Sequence, residues 1–265
     1  MPVPDIPVPD MPLVSLDSSE IIDISYNGLE LLYKVRIENP NSFEIPFPEI
    51  GWRFFLDGSS FIGGVIENNQ NIKAGETAIA EVPVSLDYLE VFDSFESLWG
   101  RSQAEYKIEM AVDFPIPIPV IENWTCTLEH EWDIPLLQAP KLISPIMEVV
   151  NVGTAAVELY VSVNAENPNV FELPTPRLIF DYKVYGTSIL RHRLNSRGPI
   201  AASSDMPIVF GMLIYYADLF RILPAVRNDS EVPGQLDLSI EFPVPAFNGE
   251  SFDIRIPGTL PLTYR

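Results

Sequence analysis

The ten residues Ile37-Glu38-Asn39-Pro40-Asn41-Ser42-Phe43-Glu44-Ile45-Pro46 return, with three substitutions, as Ala165-Glu166-Asn167-Pro168-Asn169-Val170-Phe171-Glu172-Leu173-Pro174, 128 residues further along the chain. The same spacing carries Gly58 to Gly186, Phe92 to Phe220 and Phe114-Pro115 to Phe242-Pro243. One register across most of each half marks an internal duplication. The copies run from 13 to 137 and from 140 to 262, joined by Pro135-Leu136-Leu137-Gln138-Ala139-Pro140. Ahead of them, residues 1–12 place Pro at 2, 4, 7, 9 and 12 and read as an extended spacer.

On the N-terminal side of the repeated decapeptide, apolar residues alternate with polar ones. Leu29, Leu31, Tyr33, Val35 and Ile37 share one face, with Glu30, Lys34, Arg36 and Glu38 on the other; the second copy repeats this with Val157, Leu159, Val161, Val163 and Ala165. A later strand sets Ile108, Met110, Val112 and Phe114 against Leu236, Leu238, Ile240 and Phe242, and the last strand of the first copy aligns Trp124, Cys126, Leu128, His130 and Trp132. Period-2 patterning of this kind predicts antiparallel sheets with one face buried and the other in water. Helical spacing interrupts it once per copy: Leu86, Leu89, Phe92, Phe95 and Leu98, with Asp87 and Glu90 as a capping pair and Gly100 as a stop, and Met212, Tyr216, Leu219 and Leu223 before Pro224. The expected fold is all-β: two tandem immunoglobulin/fibronectin III-like β-sandwiches, each with one short crossover helix.

The Asn39-Pro40-Asn41 and Asn167-Pro168-Asn169 tripeptides have a structural reading. Proline keeps its predecessor out of the helical region and withholds a ladder donor, and the second Asn suits a left-handed turn and bonds nearby backbone. Each tripeptide is expected to end a strand and turn the chain, with Phe43 or Phe171 plugging the turn into the core and Pro46 or Pro174 starting the next extended segment.

With those elements in place, the chain resembles the group 2 late embryogenesis abundant proteins, the desiccation-related family built on the water-stress and hypersensitive-response (WHy) domain. An alternating strand leads into Glu38 to Asn41 or Glu166 to Asn169, then Phe-Glu-Ile/Leu-Pro. A hairpin strand with Gly58 or Gly186 follows, then Pro83-Val84-Ser85 or Pro207-Ile208-Val209 ahead of the helix. The resemblance implies a fibronectin-like sandwich without catalytic residues, found in stress-associated proteins that are often membrane-tethered or secreted.

Composition narrows the partners. Against 37 Asp and Glu there are 16 Lys and Arg, a formal charge of -21, which repels phosphate backbones and anionic head groups, so neither nucleic acid nor direct membrane insertion is expected. The densest basic cluster, Arg191-His192-Arg193 followed by Arg197, is the candidate docking patch for a carboxylate or phosphate. The single cysteine, Cys126, reads as a core thiol. His130 lies among Glu129, Glu131 and Asp133, but alternation turns the two glutamates away from it, so no metal is expected there. Asp57, Glu67, Asn68 and Asn69 form no ordered calcium loop, and the sequons at Asn123 and Asn228 matter only in a glycosylating host. There is no G-x-S-x-G, no phosphate-binding glycine loop and no paired cysteine, so neither a cofactor nor an enzymatic activity is expected. The expected function is that of a non-enzymatic desiccation or stress protein, acting as an acidic, tethered or secreted envelope module. A tandem sandwich that binds a specific protein or glycan through sheet edges or end loops is the alternative. Met1 directly before the spacer leads to the further expectation of an N-terminal leader or lipid anchor, hence an extracytoplasmic or membrane-tethered lipoprotein, with a cytoplasmic location as the alternative. A monomer is expected.

Overall fold

A computed structural model describes residues 10–68, 70–115, 124–196 and 198–262, and the chain divides into two compact units, with the main division between Leu136 and Leu137. In the first, β1 (Leu13–Ile24), β2 (Gly28–Glu38) and β7 (Thr77–Asp87) form one sheet in the order β1-β2-β7. The second sheet runs β5-β4-β8-β9, from β4 (Glu49–Leu56), β5 (Ser59–Ile66), β8 (Gln103–Phe114) and β9 (Trp124–Pro135), and the short β3 (Ile45–Pro46) and β6 (Asn71–Ile72) pair beside them. All pairings are antiparallel. The second unit repeats the plan with β10 (Lys141–Val152), β11 (Ala156–Asn167) and β14 (Ser204–Tyr215) in one sheet. Its other sheet holds β12 (Arg177–Val184), β13 (Thr187–Asn195), β15 (Glu231–Glu241) and β16 (Ser251–Pro261) in the order β13-β12-β15-β16.

The alternating sets form the two cores: Leu29, Leu31, Tyr33, Val35 and Ile37 of β2, and Val157, Leu159, Val161, Val163 and Ala165 of β11, are all buried. So are the inward residues of β8 and β15, and Phe242 just beyond β15. The 128-residue register persists to Phe114 and Phe242 and then shortens. Gln103 pairs with Pro135 and its counterpart Glu231 with Pro261, so the last strands lie 126 residues apart. Both leading strands carry two bulges at equivalent places, Leu16/Ser18 and Ile21/Asp23 in β1, Ile143/Ile146 and Val149/Asn151 in β10.

Each helix crosses from one sheet to the other. In the first domain α1 (Tyr88–Ser94) links β7 to β8, and the Asp87 carboxylate caps it by accepting from the N–H groups of Leu89 and Glu90. A 3-10 turn (Glu96–Leu98) follows, and Gly100 has a φ of +82°. The expected three-residue stripe is therefore divided, with Leu86 in the strand, Leu98 in the 3-10 turn and Tyr88, Val91 and Phe92 as the buried helical residues. In the second domain α2 (Tyr216–Ile222) starts after Tyr215, whose side chain makes no capping bond. Met212 belongs to β14 rather than to this helix, because it still follows the strand alternation that buries Ile208 and Ile214.

Residues 1–9 of the expected spacer lie outside the described residues. Its end is part of the first domain: Pro12 is buried, like Pro140 at the same place in the second copy.

Candidate functional site

The tripeptides bury polar side chains and give them hydrogen-bond partners. Tyrosines aside, the buried polar side chains among the described residues are Asn39, Asn41, Asn167 and Asn169. Burial of this kind is tolerated only when the hydrogen bonds are made. The Asn39 amide donates from Nδ2 to the carbonyls of Phe43 at 2.8 Å, Ile72 at 3.0 Å and Lys73 at 3.0 Å, and its Oδ1 accepts from the backbone N–H of Asn41 at 3.0 Å and from Asn41 Nδ2 at 3.1 Å. Asn41 in turn grips the lead-in segment: Asp10 N–H donates to its Oδ1 at 2.7 Å, and its Nδ2 donates to the Asp10 carbonyl at 2.8 Å. The second copy reproduces this bond for bond. Asn167 reaches the carbonyls of Phe171, Ile200 and Ala201, and Asn169 holds both edges of Gln138 at 2.7 and 2.9 Å.

This geometry corrects two sequence expectations. The second Asn is not left-handed, since neither Asn41 nor Asn169 is among the positive-φ residues; it bonds a segment 31 residues back instead of its own turn. Phe171 is buried but Phe43 is 41% exposed, and Ile45 and Phe47 close the first core in its place. Pro40 is exposed and Pro168 half-buried, each following the last strand residues as a ladder stop.

The basic cluster divides between the two faces of one strand. Arg191, His192 and Arg193 lie on the edge strand β13, directly across from Asp181, Phe180 and Ile179 of β12. Alternation puts the two arginines on the outer face, while His192 lies 6.0 Å from the ring of the buried Phe180. Arg197 lies outside the described residues. On that outer face one row crosses four strands, Arg191, Asp181, Asp237 and Arg255. Lys183 bridges Asp181 at 3.6 Å and Asp237 at 2.6 Å, and Arg255 reaches Asp237 at 3.1 Å. Burial works to raise the Asp237 carboxyl, but hydrogen bonds from Lys183, Gln235 and Arg255 outweigh it and hold it below its ordinary 3.8. The first domain writes the corresponding network with different residues: Lys107 binds Glu109 at 2.7 Å and Glu129 at 3.4 Å, and the Lys107 hydrogen bond holds the Glu109 carboxyl below its usual range.

Cys126 is half-buried on the edge strand β9 and so is not the core thiol expected. His130, on the same strand, points into the seam between β1 and β9. It shares a 3.1 Å hydrogen bond with Ser19 and sits edge-on to Tyr33 at 6.0 Å. Burial, then the nearby Tyr106 hydroxyl, pushes the Tyr33 phenol above its ordinary range, yet no well-formed hydrogen bond reaches it. The seam opens as a groove of about 350 Å³ lined by Ser19, Glu20, Tyr106, His130, Trp132 and Asp133. Trp132, expected with the inward set, is 70% exposed there. Sequence reading missed this groove because its walls come from strands 111 residues apart. Among the described residues no three His, Cys, Asp or Glu side chains are grouped to hold a metal ion, and no helix is long and apolar enough to cross a membrane.

The two copies both match the profile of the family described as late embryogenesis abundant protein, at residues 34–131 and 162–257. The chain belongs to that family. The late embryogenesis abundant protein Lea14-A of Gossypium hirsutum is 26% identical over 125 residues, which cover 47% of this chain and 82% of that protein. The desiccation protectant protein Lea14 homolog of Glycine max is 26% identical over 134 residues, covering 51% and 85%. A solution structure of an Arabidopsis thaliana protein aligns at 19% identity over 49% of this chain and 88% of its own, with a TM-score of 0.39. Each relative is thus matched over most of its length by about half of this chain.

Proposed function

We propose that the chain is a non-enzymatic desiccation protectant whose two sandwiches act as a tandem of the water-stress and hypersensitive-response type. The observation that carries this reading is the match of both copies to one family whose relatives are named for desiccation. The chain's formal charge of -21 suits it, because like-charged surfaces keep apart as water is withdrawn and concentration rises. The role is exercised outside the cytoplasm or at a membrane, and fractionation of cells making the natural protein tests that part. The protective role is tested by drying a labile reporter enzyme with the intact chain or with an equal mass of serum albumin. Greater recovered activity with the chain is expected; recovery no better than with albumin overturns the reading.

A second reading, a specific binding module, is favoured by the arginine pair on the exposed edge strand β13. A saturable partner in a pull-down, lost when Arg191 and Arg193 are both replaced by Ala, would establish it over general protection.

A further inference from the structure

We propose that the groove between β1 and β9 of the first domain binds a neutral saccharide. The duplication supplies the control. In the second domain the same seam is filled, with Met147 at the place of Ser19 and Gly258 at that of Trp132. The Met147 methyl lies so close over Gly258 that an added Cβ would meet it at 2.4 Å. The first domain replaces that thioether plug with a hydroxyl and that glycine with an indole, and the groove of about 350 Å³ results. This volume falls at the lower end of small-molecule sites, about 300–1,000 Å³.

The lining selects the ligand class. Leu31, Tyr106 and Ile134 make a buried floor, and Trp132 offers an open ring face, on which the flat C–H side of a pyranose can rest. Beside it stand the Ser19 hydroxyl and the His130 imidazole, joined by a 3.1 Å hydrogen bond. They combine donors with acceptors, as a polyol requires and an ammonium ion, which only donates, does not. Among the described residues no Lys or Arg lines the groove, so an anion finds no counter-charge in its lining. Glu20 and Asp133 turn their carboxylates to the outer sheet faces, to Lys34 at 3.1 Å and to Gln103 at 3.3 Å. Among the described residues, no carboxylate therefore awaits a cation inside the groove.

The intact chain on an array of neutral oligosaccharides, followed by calorimetry with the best hit, tests the proposal. At least tenfold weaker binding is expected for Trp132→Ala, whose side chain is exposed, and for Ser19→Met, which carries over the second domain's plug. Trp99→Ala, outside the groove, is expected to bind as the parent does. No retained saccharide, binding that survives both groove variants, or full displacement by tetramethylammonium chloride would each overturn it. Drying protection can stand or fall independently of these results.

Discussion

The carboxamide of Asn41 meets Asp10 as one strand meets another, taking its N–H at 2.7 Å and giving a hydrogen to its carbonyl at 2.8 Å. Asn39 supports this grip from behind, so the pair acts as one unit. Asn39→Ala strands three backbone carbonyls and the Asn41 amide, and is expected to destabilise the first domain by about 1–3 kcal/mol. Asn167→Ala should do the same to the second. Urea unfolding that follows the tryptophans checks this for the first domain, because all four lie at or before Trp132. A loss below about 0.5 kcal/mol would show that water replaces the bonds at no cost.

The second core depends on a glycine. A Cβ on Gly234 would meet the Tyr182 hydroxyl at 2.0 Å, whereas the first domain has Tyr106 at that position, stacked 4.9 Å from Phe54. Gly234→Ala is expected to cost about 1–3 kcal/mol through overpacking. Among the described residues the Tyr182 hydroxyl has no hydrogen-bond partner, and burial pushes its pKa up to about 12. Tyr182→Phe alone should therefore be nearly neutral, and in the double variant it should recover part of the loss. A double-mutant cycle measures the coupling, and strict additivity would refute the contact.

Two features of the first domain can be transplanted. Asp57-Gly58 turns β4 into β5 with both residues at positive φ; at the equivalent Tyr185-Gly186 the tyrosine takes φ +49° without a short polar side chain to ease it. Likewise Asp87 caps α1, whereas Tyr215 leaves α2 uncapped. Tyr185→Asp and Tyr215→Asp are each expected to stabilise the second domain by about 0.5–1 kcal/mol. Thermal unfolding should show the shift, and a fall in midpoint for both would contradict the strain and capping arguments.

Acid should act through Asp237. Its folded pKa lies below its ordinary 3.8, so between those values the unfolded chain binds the extra proton. Stability from this group is complete above the ordinary value and is lost as pH falls through the folded one. The parent is expected to exceed Asp237→Asn in stability at pH 7, with the gap narrowing below about pH 4. A gap that stays constant down to pH 2 would assign the difference to something other than titration.

Much of the architecture is legible in the sequence because it rests on side-chain periodicity: the inward sets of β2, β8, β11 and β15, and the duplication itself, leave apolar residues at fixed intervals. The clasp is half legible. Its asparagines stand out, but the segment they hold offers only its backbone, so Asp10 and Gln138 serve equally and leave no pattern. The same blindness applies to the bulges of β1 and β10, which are events of the backbone ladder. The basic cluster is half legible for the opposite reason: Arg191, His192 and Arg193 are contiguous in sequence, but a strand sends contiguous side chains to opposite faces.

Those bulges bear on what happens when the protein is crowded. A bare sheet edge is a template for a neighbouring chain, but β1 falls out of step after Leu16 and again after Ile21, and β10 does so at the matching residues. A straight strand laid along either edge can keep its ladder for only a few residues before its donors face donors. Edge-to-edge zippering into fibrils is thereby interrupted at source, which is the failure that concentration by drying would otherwise provoke.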